Sequence, residues 1–242
     1  GSEPSRRMTG PLVEGGEVRD FQSGAKATEG VYLADQENSG SFELYFTELP
    51  TKLVKGPLTR ESLRDALAYR SGARYGEEAE YVFDSPHAPR SAPLAAYCKR
   101  AIRPGRPLFA GLTDLMHAIR EDFRYVPDST DLTTPVTRLL EERKGVCQDF
   151  AHLMIACLRS LGLPARYVSG YLLTTPPPGQ PRLTGADNSH AWVQSYVPEA
   201  GWVDFDPTNG LLPDRQHVTL AWGRDYGDVS PLRGVIVGGS GH

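Results

Sequence analysis

The spacing of apolar residues changes along the chain, and each change predicts an element. Residues 1–17 are polar and glycine-rich and read as loose. Residues 29–56 read as β structure: Gly30–Ala34 is a short strand, Asn38-Ser39-Gly40 a turn, and Phe42–Leu49 a half-buried strand. In the last, Phe42, Leu44 and Phe46 share one face and Glu43, Tyr45 and Thr47 the other, the period of a pleated strand. Pro50 ends it, and Thr51–Lys55 adds a further strand. Helical spacing follows. Residues 59–70 place Leu63, Ala66 and Leu67 together, and the proline-rich stretch 84–93 is a connection. Leu94–Ile102 is a short helix that carries Cys98. Pro107–Phe123 carries a stripe of Leu108, Leu112, Leu115, Met116, Ile119 and Phe123. After a loop at 124–131, Thr134 is the expected cap of a helix with Pro135 at its first position and Leu139-Leu140 inside, ending at Gly145.

The stretch Gly145–Leu173 combines both periods. It opens as a helix at Cys147 whose apolar positions Phe150, Leu153, Met154, Cys157, Leu158 and Leu161 point several ways, the pattern of a central, buried helix. Gly162 suits the position after the helix end and Pro164 blocks continuation. Ala165–Leu173 then reads as a strand, and residues 174–187 as a loop. His190–Val197 alternates Ala191, Val193 and Ser195 against Trp192, Gln194 and Tyr196. A turn at Pro198–Gly201 leads into Trp202–Asp206, which Pro207 stops, and Trp222–Gly239 is expected to be loop-rich. Helices followed by short antiparallel strands indicate an α+β fold.

Composition narrows the function. The 242 residues are 39% hydrophobic and 23% charged, the range of a globular protein with a proper core, and the net charge is −4. With no long basic block, nucleic acid and anionic membrane are not expected partners. No apolar run has the length of a membrane span. The start, GSEPSRRMTG, has no apolar leader core, so a cytoplasmic location is the expectation, although Gly1-Ser2 resembles an expression remnant that can follow a trimmed natural N-terminus. The cysteines are Cys98, Cys147 and Cys157, an odd, sparse set without a CxxC pair or zinc-finger spacing. That is not a disulfide framework.

A cysteine at a helix mouth is a candidate thiolate, because the helix N-terminus carries unpaired N–H groups and partial positive charge. Cys147 is therefore the candidate nucleophile. His190 begins a strand directly after a long loop and is the candidate base. Asp206 ends the next strand, and a hairpin of the two strands brings it beside His190 as the candidate orienting acid. Asp204 competes for that role on the same strand face. First-turn amides, including the Cys147 N–H, can supply part of an oxyanion site. Gln148 either donates there or points to solvent, and Trp192 is either a cleft wall or core. Cys157 reads as core and Cys98 as incidental. His152 lies five positions after Cys147, about 1.4 turns, and so faces away as a structural group. His117 and His217 read as structural or surface residues, Asp149 as a helix-dipole partner, and Arg224, Asp225 and Asp228 as a cleft lining or a salt-bridged loop. A zinc site of Cys147, His190 and Asp206 lacks a fourth ligand, and no EF-hand loop is present. No metal and no cofactor are expected.

The segments GVCQDFAHLMIACLRSLGLPARYVSGYL, DNSHAWVQSYVPEAGWVDFDPTNG and WGRDYGDVSPLRG resemble the bacterial transglutaminase-like family, whose members are often described as cysteine proteases. The resemblance covers roughly Leu108–Gly239. It implies a papain-like α+β core with the nucleophile helix packed on an antiparallel sheet. It also implies a Cys147–His190–Asp206 triad working by acyl transfer through a thioester on a peptide or protein amide. Water would resolve the thioester in a peptidase, an amine co-substrate in a transglutaminase; a non-catalytic binding module is the rival. Such proteins often carry a β domain ahead of the core, so residues 1–58 are expected to be a shortened or truncated β-rich region and residues 59–242 the catalytic domain.

Overall fold

The computed structural model describes residues 58–230, apart from residues 69, 72–75, 128, 131–133, 177, 187 and 199. Ahead of these it describes only the backbone of four short strands. The chain divides into two units, Gly1–Thr51 and Lys52–His242. In the first, β1 (Val13–Glu14) pairs antiparallel with β2 (Glu17–Val18), and β3 (Ala34–Asp35) with β4 (Phe42–Glu43). The rest of the expected Gly30–Ala34, Phe42–Leu49 and Thr51–Lys55 strands lies outside the described residues.

The second unit begins with α1 (Arg60–Leu67). Thr59 and Ser62 close a reciprocal cap there: Thr59 Oγ1 accepts the Ser62 N–H at 3.3 Å and Ser62 Oγ accepts the Thr59 N–H at 3.0 Å. A 3-10 helix follows at Glu77–Val82. α2 (Ala92–Cys98) starts at Ser91, whose hydroxyl accepts the Leu94 N–H, and α3 (Leu108–Asp122) follows. β5 (Arg124–Tyr125) and β6 (Lys144–Gly145) pair in parallel around α4 (Val136–Glu142). Thr134 is not the α4 cap: Pro135 holds that place in an extended conformation (φ −64°, ψ 139°). Its ring fixes φ at a value that suits helix and extended chain alike, and the chain takes the extended one. The helix stops at Glu142 rather than Gly145, because Arg143 turns left-handed (φ 56°) to end it.

α5 (Cys147–Ser160) is the central post, and every residue from Asp149 to Arg159 is buried. Its apolar residues join those of α2, α3, α4 and the inner sheet face in one core, where each fully buried Leu or Phe contributes about 2 kcal/mol. Gly162 ends the helix at φ 73°, and the chain enters a four-stranded antiparallel sheet. The sheet comprises β7 (Ala165–Leu172), β8 (Ser189–Val197), β9 (Gly201–Phe205) and β10 (His217–Gly223), in the order β10-β7-β8-β9. β10 is not among the strands read from sequence, and it takes in Trp222 and Gly223 from the start of the stretch expected to be loop-rich. It pairs along β7, and a register shift between Thr219 and Ala221 blurs the alternation that would have announced it. α6 (Tyr226–Val229) follows, started by the Asp225 carboxylate, which accepts the Gly227 N–H at 2.8 Å.

Arg159, buried near the end of α5, ties these parts together. Its guanidinium donates to the carbonyls of Tyr81, Ala165 and Arg224 and to Ser85 Oγ, at 2.7–3.2 Å. One cation thus satisfies acceptors from the 3-10 helix region, β7 and the approach to α6.

Candidate active site

Cys147 is the first residue of α5, so the N–H groups of its turn have no acceptor within the helix and their dipoles point toward the thiol side of the helix end. Val146 has no side chain able to cap them. Asp149 reaches back instead and accepts the Val146 N–H at 2.8 Å, with a hydrogen bond from Thr130 on the same oxygen. The carboxylate thus fixes the turn that presents Cys147, in keeping with its expected place at the positive helix end. Cys147 is half-buried, whereas Cys98 and Cys157 are fully buried, and burial raises both of those thiols.

Cys147 opens into a cavity of about 270 Å³. His190 and Gln148 line it, with Tyr167, Tyr171 and Tyr226 as its aromatic wall and Leu220 and Val229 as aliphatic wall. Among the described residues, Cys147, His190 and the tyrosine hydroxyls are the ionisable groups that line it. Trp192 does not line it: the ring is buried, stacks near His190 (centroids 6.1 Å apart) and donates from Nε1 to Asp204 at 2.7 Å. It belongs to the packing behind the imidazole. His190 and Trp192, two positions apart, share one face of β8, and Trp192 lies further along it, opposite Val168 of β7.

The β8–β9 hairpin brings His190 and Asp206 together in a fully buried pair. His190 Nε2 donates to Asp206 Oδ2 at 2.9 Å. Nδ1 is left on the other side of the ring, with no partner in complete hydrogen-bond geometry, and Cys147 is close enough to act on the ring through hydrogen bonding and charge. Burial alone would lower the His190 pKa; the hydrogen bonds and charges of Asp206 and Cys147 outweigh it and raise the group to about 9. Burial likewise works to raise Asp206, and the two histidines bonded to it hold its carboxyl well below the usual range instead. Gly185 leaves this space open. It sits at φ 90°, and a β-carbon there would lie 2.8 Å from His190 Nδ1.

Asp206 is held from all sides. Oδ1 accepts the backbone N–H groups of Thr208 (2.9 Å) and Asn209 (3.1 Å). Oδ2 accepts His190 Nε2, Asn209 Nδ2 (2.8 Å) and His217 Nε2 (3.0 Å). Of the two roles read from sequence, structural or surface, the buried His217 takes the structural one. It starts β10 beside the carboxylate, a placement that only the unpredicted strand creates. Asp204 is not on His190: it accepts from Trp192 and from Gln194 Nε2 (3.1 Å) and sits one pair further along the strand. His190, Asp206 and His217 are also, among the described residues, a group whose ligand atoms all lie within 4.8 Å of one another. Both Nε2 atoms lie within hydrogen-bond distance of the same Asp206 oxygen, and hydrogen bonding accounts for the closeness of the three residues.

His152 packs behind Tyr167 and Tyr226, two residues of the cavity wall. It does not line the cavity. Its Nε2 accepts the Tyr226 N–H at 3.1 Å, and the ring stacks between His87 (5.3 Å) and Tyr167 (4.9 Å). Burial, helped by the charge of His87, lowers it to about 3. Arg224 and Asp228 pair with each other, and Asp225 accepts the His87 N–H at 2.9 Å; the cavity itself receives Tyr226 and Val229 from this segment. His117 donates to the Gly210 carbonyl at 3.1 Å and so braces the turn that follows Asp206.

Residues 95–207 match the Transglutaminase-like superfamily, a span that includes Cys147, His190 and Asp206 and stops before His217 and the WGRDYGDVSPLRG segment. An uncharacterized protein of Mycobacterium tuberculosis is 49% identical over 144 residues, 58% of this chain and 46% of that protein. The chain thus spans less than half the length of that relative. A Pseudomonas aeruginosa protein named protein-glutamine gamma-glutamyltransferase is 35% identical over 134 residues, 49% of this chain and 20% of its own. Among solved structures, a Cytophaga hutchinsonii protein provisionally described as a cysteine protease superposes with a TM-score of 0.54 at 30% identity, covering 65% of this chain and 50% of that one. The helix-on-antiparallel-sheet core is the transglutaminase, papain-like α+β arrangement. Residues 95–207, just under half of the chain, are therefore similar to a transglutaminase-like core domain.

Proposed function

We propose that this protein is a thiol-dependent acyl-transfer enzyme that works through a thioester on Cys147 and hydrolyses peptide or protein amides. The observation that carries the reading is the buried His190, bonded to Asp206 through Nε2 while its other side faces the cavity that Cys147 enters. His190 takes the Cys147 proton and becomes an imidazolium, which Asp206 stabilises. The sulfur attacks the amide carbonyl carbon. The resulting oxyanion is met by the Cys147 N–H and its neighbours in the first turn, with Gln148 at the cavity wall. Collapse of the tetrahedral species breaks the C–N bond, and the imidazolium proton leaves with the amine. Water, deprotonated by the now neutral His190, then cleaves the thioester. The described cavity lining, with no carboxylate and no Lys or Arg, supports an uncharged acyl side chain such as a glutamine carboxamide.

Transfer to an amine is the second reading, favoured by the likeness to the Pseudomonas protein named as a glutamyltransferase. The test is mass spectrometry of the intact protein with a pool of glutamine peptides, with and without a primary amine. A thioester mass on Cys147 that needs His190 supports the enzyme, and an amine-trapped product assigns transfer. Peptide binding without any adduct in wild type, with Cys147 labelled equally by iodoacetamide in wild type and His190→Ala, sinks the reading in favour of a binding module.

A further inference from the structure

His217 lies outside the family match, does not line the cavity, and yet reaches the same carboxylate oxygen as His190. Its side chain is 1% exposed, its Nε2 is 3.0 Å from Asp206 Oδ2, and its ring stands edge-on to Trp192 with centroids 5.4 Å apart. The sheet explains the convergence. On β7, Gly170 is opposite His190 of β8, and Leu172, two positions along on the same face, is opposite His217 of β10. The two imidazoles thus flank β7 and lean to a common point. Gly170 has no room for a side chain there: a β-carbon would lie 2.0 Å from the Val218 carbonyl oxygen and 2.6 Å from the Trp192 ring.

The other donors to Asp206 cannot do what His217 does. Thr208 and Asn209 belong to the same turn as the acid and move with it. His190 is the group being oriented. Among the described residues, His217 is the remaining donor, and it ties the carboxylate to a different strand. Both Nε2 atoms must carry hydrogen to bond an ionised carboxylate, which fixes the His217 tautomer. The groups that face the His217 ring are Asp206, His190, Asp214, whose Oδ1 is 3.8 Å from Nδ1, and Asp204, whose charge it influences. Nδ1 itself has no hydrogen bond. The ring is anchored at one atom, and that atom is on Asp206.

We propose that His217 is a positioning residue: it pins Asp206 Oδ2 to β10 so that the carboxylate holds His190 toward Cys147, without itself touching substrate. The proposal rests on the Cys147–His190 reading given above. It is tested in the full chain with His217→Gln, whose amide nitrogen can take the place of Nε2, His217→Asn, whose shorter amide cannot reach, and His217→Leu. Circular dichroism and melting check the fold of each. The first readout is the pH profile of Cys147 alkylation by iodoacetamide. His217→Leu and His217→Asn are expected to react about tenfold more slowly near pH 7 and to regain rate only in alkali, as an ordinary thiol does. His217→Gln is expected to recover at least half the wild-type rate. If His217→Leu does not fold, the comparison of His217→Gln with His217→Asn decides. The second readout, which does not involve the thiol, is the downfield Nε2–H resonance of His190 in side-chain ¹H–¹⁵N spectra, expected in wild type and His217→Gln and lost in the other two. If folded His217→Asn keeps both the wild-type profile and the His190 resonance, or if His217→Gln is as impaired as His217→Asn, the proposal is overturned. If His190→Ala leaves alkylation unchanged while the resonance follows the pattern above, the nucleophile reading fails and the positioning role stands.

Discussion

Two buried histidines stand near the same cavity and have opposite electrical fates. His190 is held to about 9 and His152 falls to about 3. Both are removed from water, and in both the burial works against the charged ring. The difference lies in what each nitrogen meets. His190 meets a fixed carboxylate, whereas His152 accepts a backbone N–H and lies between two rings. Desolvation sets the default, a neutral imidazole, and at His190 the hydrogen bonds and charges of Asp206 and Cys147 reverse it. The first is thus arranged to hold a proton, the second to hold the shape of the Tyr226 side.

The comparison can be broken or sharpened, and the largest effect is expected at Cys147. Cys147→Ala should abolish iodoacetamide labelling near pH 7 altogether, since Cys98 and Cys157 are buried with raised thiols; peptide mapping by mass spectrometry reads this directly. Asp206→Asn should convert His190 to the state of His152, neutral at pH 7, and slow Cys147 alkylation there by roughly 100-fold, the scale of a lost acid–base partner. Gly185→Ala introduces both a strained φ and a β-carbon against His190 Nδ1. It is expected to slow alkylation about tenfold and lower stability by about 1–2 kcal/mol in urea unfolding. His152→Phe should leave the alkylation profile unchanged and cost about 1–3 kcal/mol, because the Tyr226 N–H loses its acceptor.

The two rings also limit stability at opposite ends of the pH scale. The folded pKa of His190 exceeds its ordinary 6.5, so its contribution is full below about 6.5 and is lost as pH rises through about 9. The folded pKa of His152 is below 6.5, so its contribution is full above 6.5 and is lost as pH falls through about 3. Urea unfolding of His190→Ala and His152→Phe against wild type, at pH 4 to 10, should give differences that shrink in opposite directions.

The α+β class, the buried post of α5 and the hairpin that brings His190 to Asp206 were legible because each leaves a local trace. Helical spacing around Leu153 and Leu158, period-2 spacing from Ala191 to Ser195, and Pro164 and Pro207 as stops are all read from neighbours in sequence. What was missed lacks such a trace. β10 is hidden by its register shift, and His217 takes its meaning from a carboxylate 11 residues earlier that it meets only across the sheet. The residues HVTLAWG after Pro213-Asp214 were the available signal: a β-rich run behind a turn, with the histidine at its head. Trp192 could be placed beside His190 from sequence, but its burial depends on which face the second layer covers.

Arg159 has a consequence in time as well as in space. Its acceptors on Tyr81, Ser85, Ala165 and Arg224 come from segments spread over more than half the chain. During synthesis the helix bearing Cys147 emerges before His190, Asp206, His217 and the Tyr226 wall exist. Until residue 224 has been made, Arg159 lacks one of its carbonyl partners. The segment that supplies the Arg224 carbonyl also brings Tyr226 and Val229 to the cavity, so completing the cation's hydrogen bonds and completing the cavity depend on the same late part of the chain.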